Sequence, residues 1–173
     1  MQTVRRSQFP TDTQLKKFKG RIKMKKYVKV IDSVIVFNCK ILNLEQPTVK
    51  YEPSDKFATP TTKAGINPAK NIIAININTV WESPVEIWWV ISHEMRHLWQ
   101  VQNGQFNVDH YNPSQENNLK SYAMQFEEVD ANAWGVYVII SLFHTRPLLE
   151  NIYGEKVWQQ ILKRVEEIKA EYK

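Results

Sequence analysis

The amino-acid sequence predicts an α+β fold, and three observations carry that expectation. Residues 83–104, "SPVEIWWVISHEMRHLWQVQNG", read as a helix with both ends marked. The stretch "NIIAININ" (71–78) reads as a strand, with Ile73, Ile75 and Ile77 on one face and Ile72 and Ala74 on the other. Apolar residues also recur every three to four positions in several other segments, the spacing of amphipathic helices. At 173 residues and 43% hydrophobic content, one domain with a substantial core is expected. Five glycines are few for this length, which favours helices over a turn-rich all-β architecture.

Taken in order, residues 1–29 are expected to form a basic N-terminal tail or helix, with Leu15, Phe18 and Ile22 at helical spacing amid lysines. Residues 30–173 are expected to form the single domain. A helix is predicted near 30–44 from Val30, Val34, Phe37, Ile41 and Leu44, although its many β-branched residues favour a strand locally. Pro47 precedes "TVKYE", a short alternating strand, and "SDKFATPTTKAG" reads as loop or frayed strand. In the segment that follows, Ser83, Pro84 and Glu86 occupy the N-cap, first and third helical positions. This is a capping box, with proline placed where its missing N–H costs nothing. Gly104 closes that helix as the residue after the C-cap. Residues 105–119 are a polar loop. A second long helix near 120–143 is apolar at Tyr122, Phe126, Val129, Ala133, Val136 and Ile140, and Arg146-Pro147 ends it. A final amphipathic helix, 155–171, turns Val157, Ile161, Val165 and Ile168 inward.

The charge is uneven. Residues 1–30 carry ten Lys/Arg against Asp12 alone, which leaves a net of −4 on the other 143 residues of a chain whose total is +5. The basic character therefore belongs to one segment, and residues 5–29 could contact nucleic acid or another acidic partner. No apolar run is long enough to cross a bilayer, and no apolar stretch backs the N-terminal basic residues as in a signal peptide. Cys39, the single cysteine, can form no internal disulfide and excludes a four-cysteine zinc module. A cytoplasmic protein is expected.

The chemistry is concentrated in "HEMRH". Residues one turn apart share a helix face, so His93 and His97 can direct imidazole nitrogens at one ion about 2.0–2.1 Å away. Glu94, turned about 100° from His93, can reach a zinc-bound water without ligating the metal. Zinc lowers the pKa of such a water toward about 7, and a glutamate base can then take its proton. Two satisfied histidines in a packed helix would look the same in sequence, so the reading needs a third ligand. His110 and His144 are poorly placed for this, one in a loop and one near a helix end. "FEEVDANAWG" offers Glu128, with Glu127 and Asp130 as alternatives. Glu128, Ala131, Asn132 and Gly135 share one face, and small residues there would let two helices approach closely. Buried carboxylates need a cation or hydrogen bonds, and this helix is apolar nearly all round.

With "HEMRH" on one helix and "EVDANAWG" about thirty residues later on another, the chain resembles the ImmA/IrrE-type metallopeptidases, which are compact gluzincins. The second motif of that family matches Glu128, Ala131, Asn132 and Trp134. The resemblance spans roughly residues 30–145. It implies a zincin-like domain with a small sheet packed on the two motif helices, a Zn2+ held by His93, His97 and Glu128, and hydrolysis of peptide bonds in a protein substrate with Glu94 as general base. Asp130 and Asn132 are candidates to orient the ligands from behind. Trp99 and Gln100 are candidates to line the cleft, although a Trp after such a motif is more often core, and Tyr111, His110 and Tyr122 are candidates to stabilise an oxyanion. "NIIAININ" could serve as a cleft edge along which an extended peptide adds as a strand. The competing reading is a non-catalytic, zinc-stabilised binding or regulatory protein.

Overall fold

The computed structural model describes residues 21–112, 118–145, 147 and 150–172. Most of the basic segment, including Leu15 and Phe18, lies outside them, as does Arg146. Among the described residues the order is α1 (Arg21–Leu42), β1 (Thr48–Glu52), β2 (Ala64–Asn67), β3 (Ile72–Asn76), α2 (Pro84–Gln102), α3 (Leu119–Ala123), α4 (Phe126–Phe143), α5 (Glu150–Tyr153) and α6 (Glu155–Glu171). The fold is α+β, with one three-stranded sheet among these residues. No helix among them is long and apolar enough to cross a membrane.

The sheet runs in the order β1-β3-β2. β1 is parallel to β3, with Thr48 opposite Ile72 and Glu52 opposite Asn76. β2 is antiparallel to β3, with Ala64 opposite Ile75 and Asn67 opposite Ile72. Ile73 and Ile75 are fully buried, as the alternation in the sequence requires. β2 is the strand that formed at the end of "SDKFATPTTKAG" and just beyond it. Its small residues Ala64 and Gly65 carry no β-branched signal, so pairing with β3 supplies what its propensity lacks. Asn76 terminates β3: its amide nitrogen donates to the carbonyls of Thr62 (2.7 Å) and Pro60 (3.3 Å), and its oxygen accepts from Ser54 Oγ and the Asn78 amide.

α1 starts nine residues before the expected 30–44, and its buried stripe differs from the one expected. Tyr27, Ile31, Val34, Ile35, Asn38 and Leu42 face the core, while Ile41 is exposed and Val30 and Phe37 are half-buried. Asn38 is the reason: a polar residue in the true stripe disguises it. Its amide donates to Val34 O (2.8 Å) and Ser92 Oγ (2.9 Å) and accepts from Trp134 Nε1 (2.7 Å), so its burial is satisfied.

α2 is capped as its sequence requires. Ser83 Oγ accepts from the Glu86 amide (3.2 Å), and Glu86 reaches back to the Glu82 amide (2.7 Å). At the far end Gln105 N donates to Gln100 O (2.7 Å) and Gly104 N to Val101 O (3.2 Å), with Gly104 at φ 66°. This pair of bonds is the Schellman ending, which needs a left-handed residue that glycine adopts without strain. Ile87, Ile91, Met95 and Leu98 anchor the helix in the core.

The second motif helix is not continuous over 120–143. A break at Met124–Gln125 separates α3 from α4, and Phe126, expected inside, is 58% exposed. The helix ends at Phe143, where His144 turns left-handed. α4 is the central helix, packed between α2 and α6, and α2 also packs on α1 and on β2. In α6 Val157, Trp158, Ile161, Val165 and Ile168 are buried, in the stripe the sequence predicts.

Candidate metal centre

The two motif helices meet because small residues line the contact. A Cβ on Gly135 would stand 2.5 Å from Trp89 Cδ1 and 3.0 Å from the Trp89 carbonyl oxygen, so only glycine permits this approach of α4 to α2. Ala131 and Ala133 are fully buried beside it. The approach brings His93 and His97 of α2 against Glu128 of α4, and these three side chains could hold a metal ion.

The spacing suits that use. The two imidazole Nε2 atoms are 3.0 Å apart; His97 Nε2 lies 3.2 Å from Glu128 Oε1, and His93 Nε2 lies 3.4 Å from Oε2. A tetrahedral ion with bonds of about 2.0–2.1 Å places its ligand atoms roughly 3.3–3.4 Å apart. Each imidazole is at about that distance from one oxygen of the Glu128 carboxylate, and one ligand atom from each of the three residues lies within 4.8 Å of the other two. His97 and Glu128 are buried, while the His93 side chain is 15% exposed and marks the side open to solvent. His93 Nδ1 is buried without a hydrogen bond.

The charges are shared by the cluster. Burial and the neighbouring His97 push the His93 imidazole down to about 4, against the pull of Glu128. For His97, burial opposes the charge, but the hydrogen bond to Glu128 and its negative charge outweigh it and raise the group to about 9. Burial would raise Glu128, yet the His97 hydrogen bond and the two imidazoles hold it down near 2. In effect one proton on His97 neutralises the carboxylate. A divalent ion would displace that proton and engage all three groups.

Glu94 lies within electrostatic reach of His97 and Glu128, and burial, chiefly, raises its carboxyl to about 7. A metal cation beside it would lower this value again.

The three acids of α4 have separate surroundings. Glu127, also buried, accepts from the Asn107 amide (3.2 Å). Asp130 accepts four donors: Arg96 Nε (2.7 Å), Arg96 Nη2 (3.1 Å), Gln100 Nε2 (2.8 Å) and Arg164 Nε (2.7 Å). A carboxylate offers about four lone-pair sites, so Asp130 is saturated and cannot also ligate. Glu128 is the acid that faces the histidines.

Of the oxyanion nominees, Tyr111 donates to Glu128 Oε1 (3.0 Å) and shares a 2.7 Å hydrogen bond with Tyr122. His110 is exposed and bonded to Asn107, away from the cluster. Tyr153, which the sequence did not single out, is pushed up to about 12 by burial and by the Glu128 charge. Trp99 is half-buried against the core, and the Arg96 guanidinium stacks 3.8 Å above its ring. Gln100 is fully buried behind His97, with its oxygen 2.8 Å from His97 Nδ1. Asn132 donates to the Glu128 carbonyl (2.9 Å) and lies beside His93, although its own Oδ1 has no hydrogen bond. Nor is β3 the edge strand, since β1 and β2 pair with its two sides. Arg96 and Arg164 were not readable as site residues, because nothing in a linear sequence links positions on α2 and α6.

No family model matches this chain, and no curated protein or solved structure matches it either, so the resemblance to ImmA/IrrE-type metallopeptidases stands on its two motifs.

Proposed function

We propose that the chain is a zinc-dependent peptidase with a zincin-like domain of the ImmA/IrrE type, hydrolysing peptide bonds in a protein substrate. One observation supports this reading: His93, His97 and Glu128 bring two imidazole nitrogens and a carboxylate oxygen within 4.8 Å of one another, with Glu94 directly following the first histidine on the same helix. Two imidazoles and one carboxylate are a donor set of catalytic zinc, which leaves a fourth position open. Zinc held there supplies Lewis acidity and brings the pKa of water toward about 7. Glu94 then accepts the proton of the attacking water and returns it to the leaving amine. Tyr111 and Tyr122 steady the Glu128 carboxylate. β2, the antiparallel edge strand packed against α2, takes the role first given to β3. An extended peptide would add along its outer edge, the side of β2 that pairs with no strand among the described residues.

The test is Glu94→Gln, which keeps size and hydrogen bonding but cannot accept the proton. The variant should hold one zinc per chain by elemental analysis and keep the wild-type circular dichroism. Cleavage of a peptide library, followed by mass spectrometry, should slow by roughly 10²–10⁴-fold. Cleavage at the wild-type rate would remove Glu94 from the mechanism. Zinc retained by a wild type that cuts no peptide would favour the non-catalytic scaffold.

A further inference from the structure

Behind His97, on the side away from Glu128, a chain of polar contacts runs through the core to the C-terminal helix. Gln100 Oε1 is 2.8 Å from His97 Nδ1, and Gln100 Nε2 donates to the Glu127 carbonyl (3.0 Å) and to Asp130 Oδ2 (2.8 Å). Asp130 is gripped in a two-bond fork by Arg96 and again by Arg164 of α6. Arg96, fully buried, also donates to Tyr172 Oη (3.2 Å) just past the end of α6. Arg164 is tied in turn to Glu167 (3.1 Å) and Glu171 (2.8 Å).

We infer that Gln100 is a positioning residue that holds His97 in its Nδ1–H tautomer, and that Asp130, clamped by Arg96 and Arg164, fixes the direction of the Gln100 amide. The inference rests on the metal reading of His97 and deepens it. An amide can be flipped in principle, but here the two groups on one side, a carbonyl and a carboxylate, are both acceptors. Only the amide nitrogen can face them, because an oxygen there would meet two other oxygens in a buried site. The oxygen of Gln100 must then face His97, and it can only accept. Nδ1 therefore carries a proton, which leaves Nε2, on the side of Glu128 and His93, as the nitrogen able to bind a metal ion. The sense of the whole relay is set by charge: two guanidinium groups make Asp130 an obligate acceptor, and each later partner follows. His93 is held more loosely: Asn132, anchored to the Glu128 carbonyl, is its neighbour, but neither His93 Nδ1 nor Asn132 Oδ1 makes a hydrogen bond of normal geometry. His97 is thus the pre-oriented ligand, and the C-terminal helix, through Arg164, belongs to the support of the metal centre.

Two variants of the full chain and one spectroscopic readout test this. Gln100→Leu removes the acceptor; Gln100→Glu restores an acceptor for Nδ1–H but places a second carboxylate against Asp130. Zinc affinity, measured by competition with a chromophoric chelator, should fall by about 10–100-fold in Gln100→Leu. It should recover most of that loss in Gln100→Glu, even though Gln100→Glu gains no stability over Gln100→Leu in urea unfolding. A merely structural glutamine would make affinity follow stability. In the wild type, proton–nitrogen correlation spectra should show the His97 Nδ1 proton as a slowly exchanging, downfield resonance both with and without zinc, and Gln100→Leu should lose it. A rapidly exchanging Nδ1 proton in the wild type, wild-type affinity in Gln100→Leu, or no recovery in Gln100→Glu would each overturn the inference. A wild type that binds no zinc yet shows the protected Nδ1 proton, lost in Gln100→Leu, would overturn the zinc reading and leave the contact of Gln100 with His97 standing.

Discussion

Glu128 and Asp130 lie two residues apart on one helix, are equally buried at 2% exposure, and have opposite surroundings. Asp130 meets two guanidinium groups supplied by the chain, and its four acceptor sites are filled. Glu128 meets two imidazoles and a tyrosine hydroxyl, none of which is a permanent cation. Positions i and i+2 on a helix do not share a face, so α4 can turn one acid toward the open side of α2 and the other toward α6. The lesson concerns buried carboxylates in general. Where the compensating charge is built into the chain, the acid is structural; where it can be exchanged between a proton and an added cation, the acid is a binding site.

The strongest way to break this comparison is to truncate each acid. Glu128→Ala should abolish zinc retention, read by elemental analysis after gel filtration, while the fold survives by circular dichroism. Asp130→Ala should damage the fold first, lowering the unfolding free energy in urea by about 3–5 kcal/mol, because Arg96 is left charged and buried without its partner. If Glu128→Ala keeps one zinc per chain, or Asp130→Ala unfolds at the wild-type urea concentration, the distinction between the two acids is lost.

A pH series sharpens it. His97 is raised from 6.5 to about 9 by its contact with Glu128, so its proton stabilises the zinc-free fold fully below pH 6.5. That contribution, on the order of a few kcal/mol, is lost as pH rises through about 9. Asp130 is lowered from 3.8, against its burial, by Arg96, Gln100 and Arg164, so its contribution is present above 3.8 and lost only in acid below that value. Urea unfolding of chelator-treated protein should therefore weaken between pH 6.5 and 9 and weaken again in acid. In Glu128→Ala the alkaline step should vanish, and the acid step should shrink to what Asp130 contributes, because Glu128 is itself held down to about 2, against its burial, by the imidazoles. An alkaline step of unchanged size in that variant would show that Glu128 does not hold the His97 proton.

The smallest expected effect lies at the contact that both networks share. Gly135→Ala puts a methyl group 2.5 Å from Trp89 Cδ1 and 3.0 Å from a carbonyl oxygen that is fixed in α2. Overpacking of this kind costs about 1–3 kcal/mol. The two helices should separate slightly, so urea stability and zinc affinity should fall together. Unchanged values for both would mean that the close approach is not needed.

Local chemistry was readable wherever a residue acts on its own neighbours. The caps of α2 follow from Ser83, Glu86 and Gly104, whose partners are within five residues, and the i, i+4 histidines follow from helix geometry alone. The inward stripe of α6 and the alternation of β3 are similarly periodic. Long-range pairing was not readable. The stripe of α1 was misjudged because Asn38 looks exposed until Trp134, 96 residues later, completes its hydrogen bonds. β2 lacks strand propensity and exists through its pairing with β3, which in turn places β3 in the centre of the sheet and leaves β2 at its edge.

By itself, then, the sequence determined the helix carrying His93, Glu94 and His97, the α+β class, and three acids of which one could complete the cluster. Only the tertiary structure decided among those acids, because burial leaves each carboxylate to whichever cation the fold brings within bonding distance. Two arginines from α2 and α6 claimed Asp130, a loop amide engaged Glu127, and the histidines were left to Glu128.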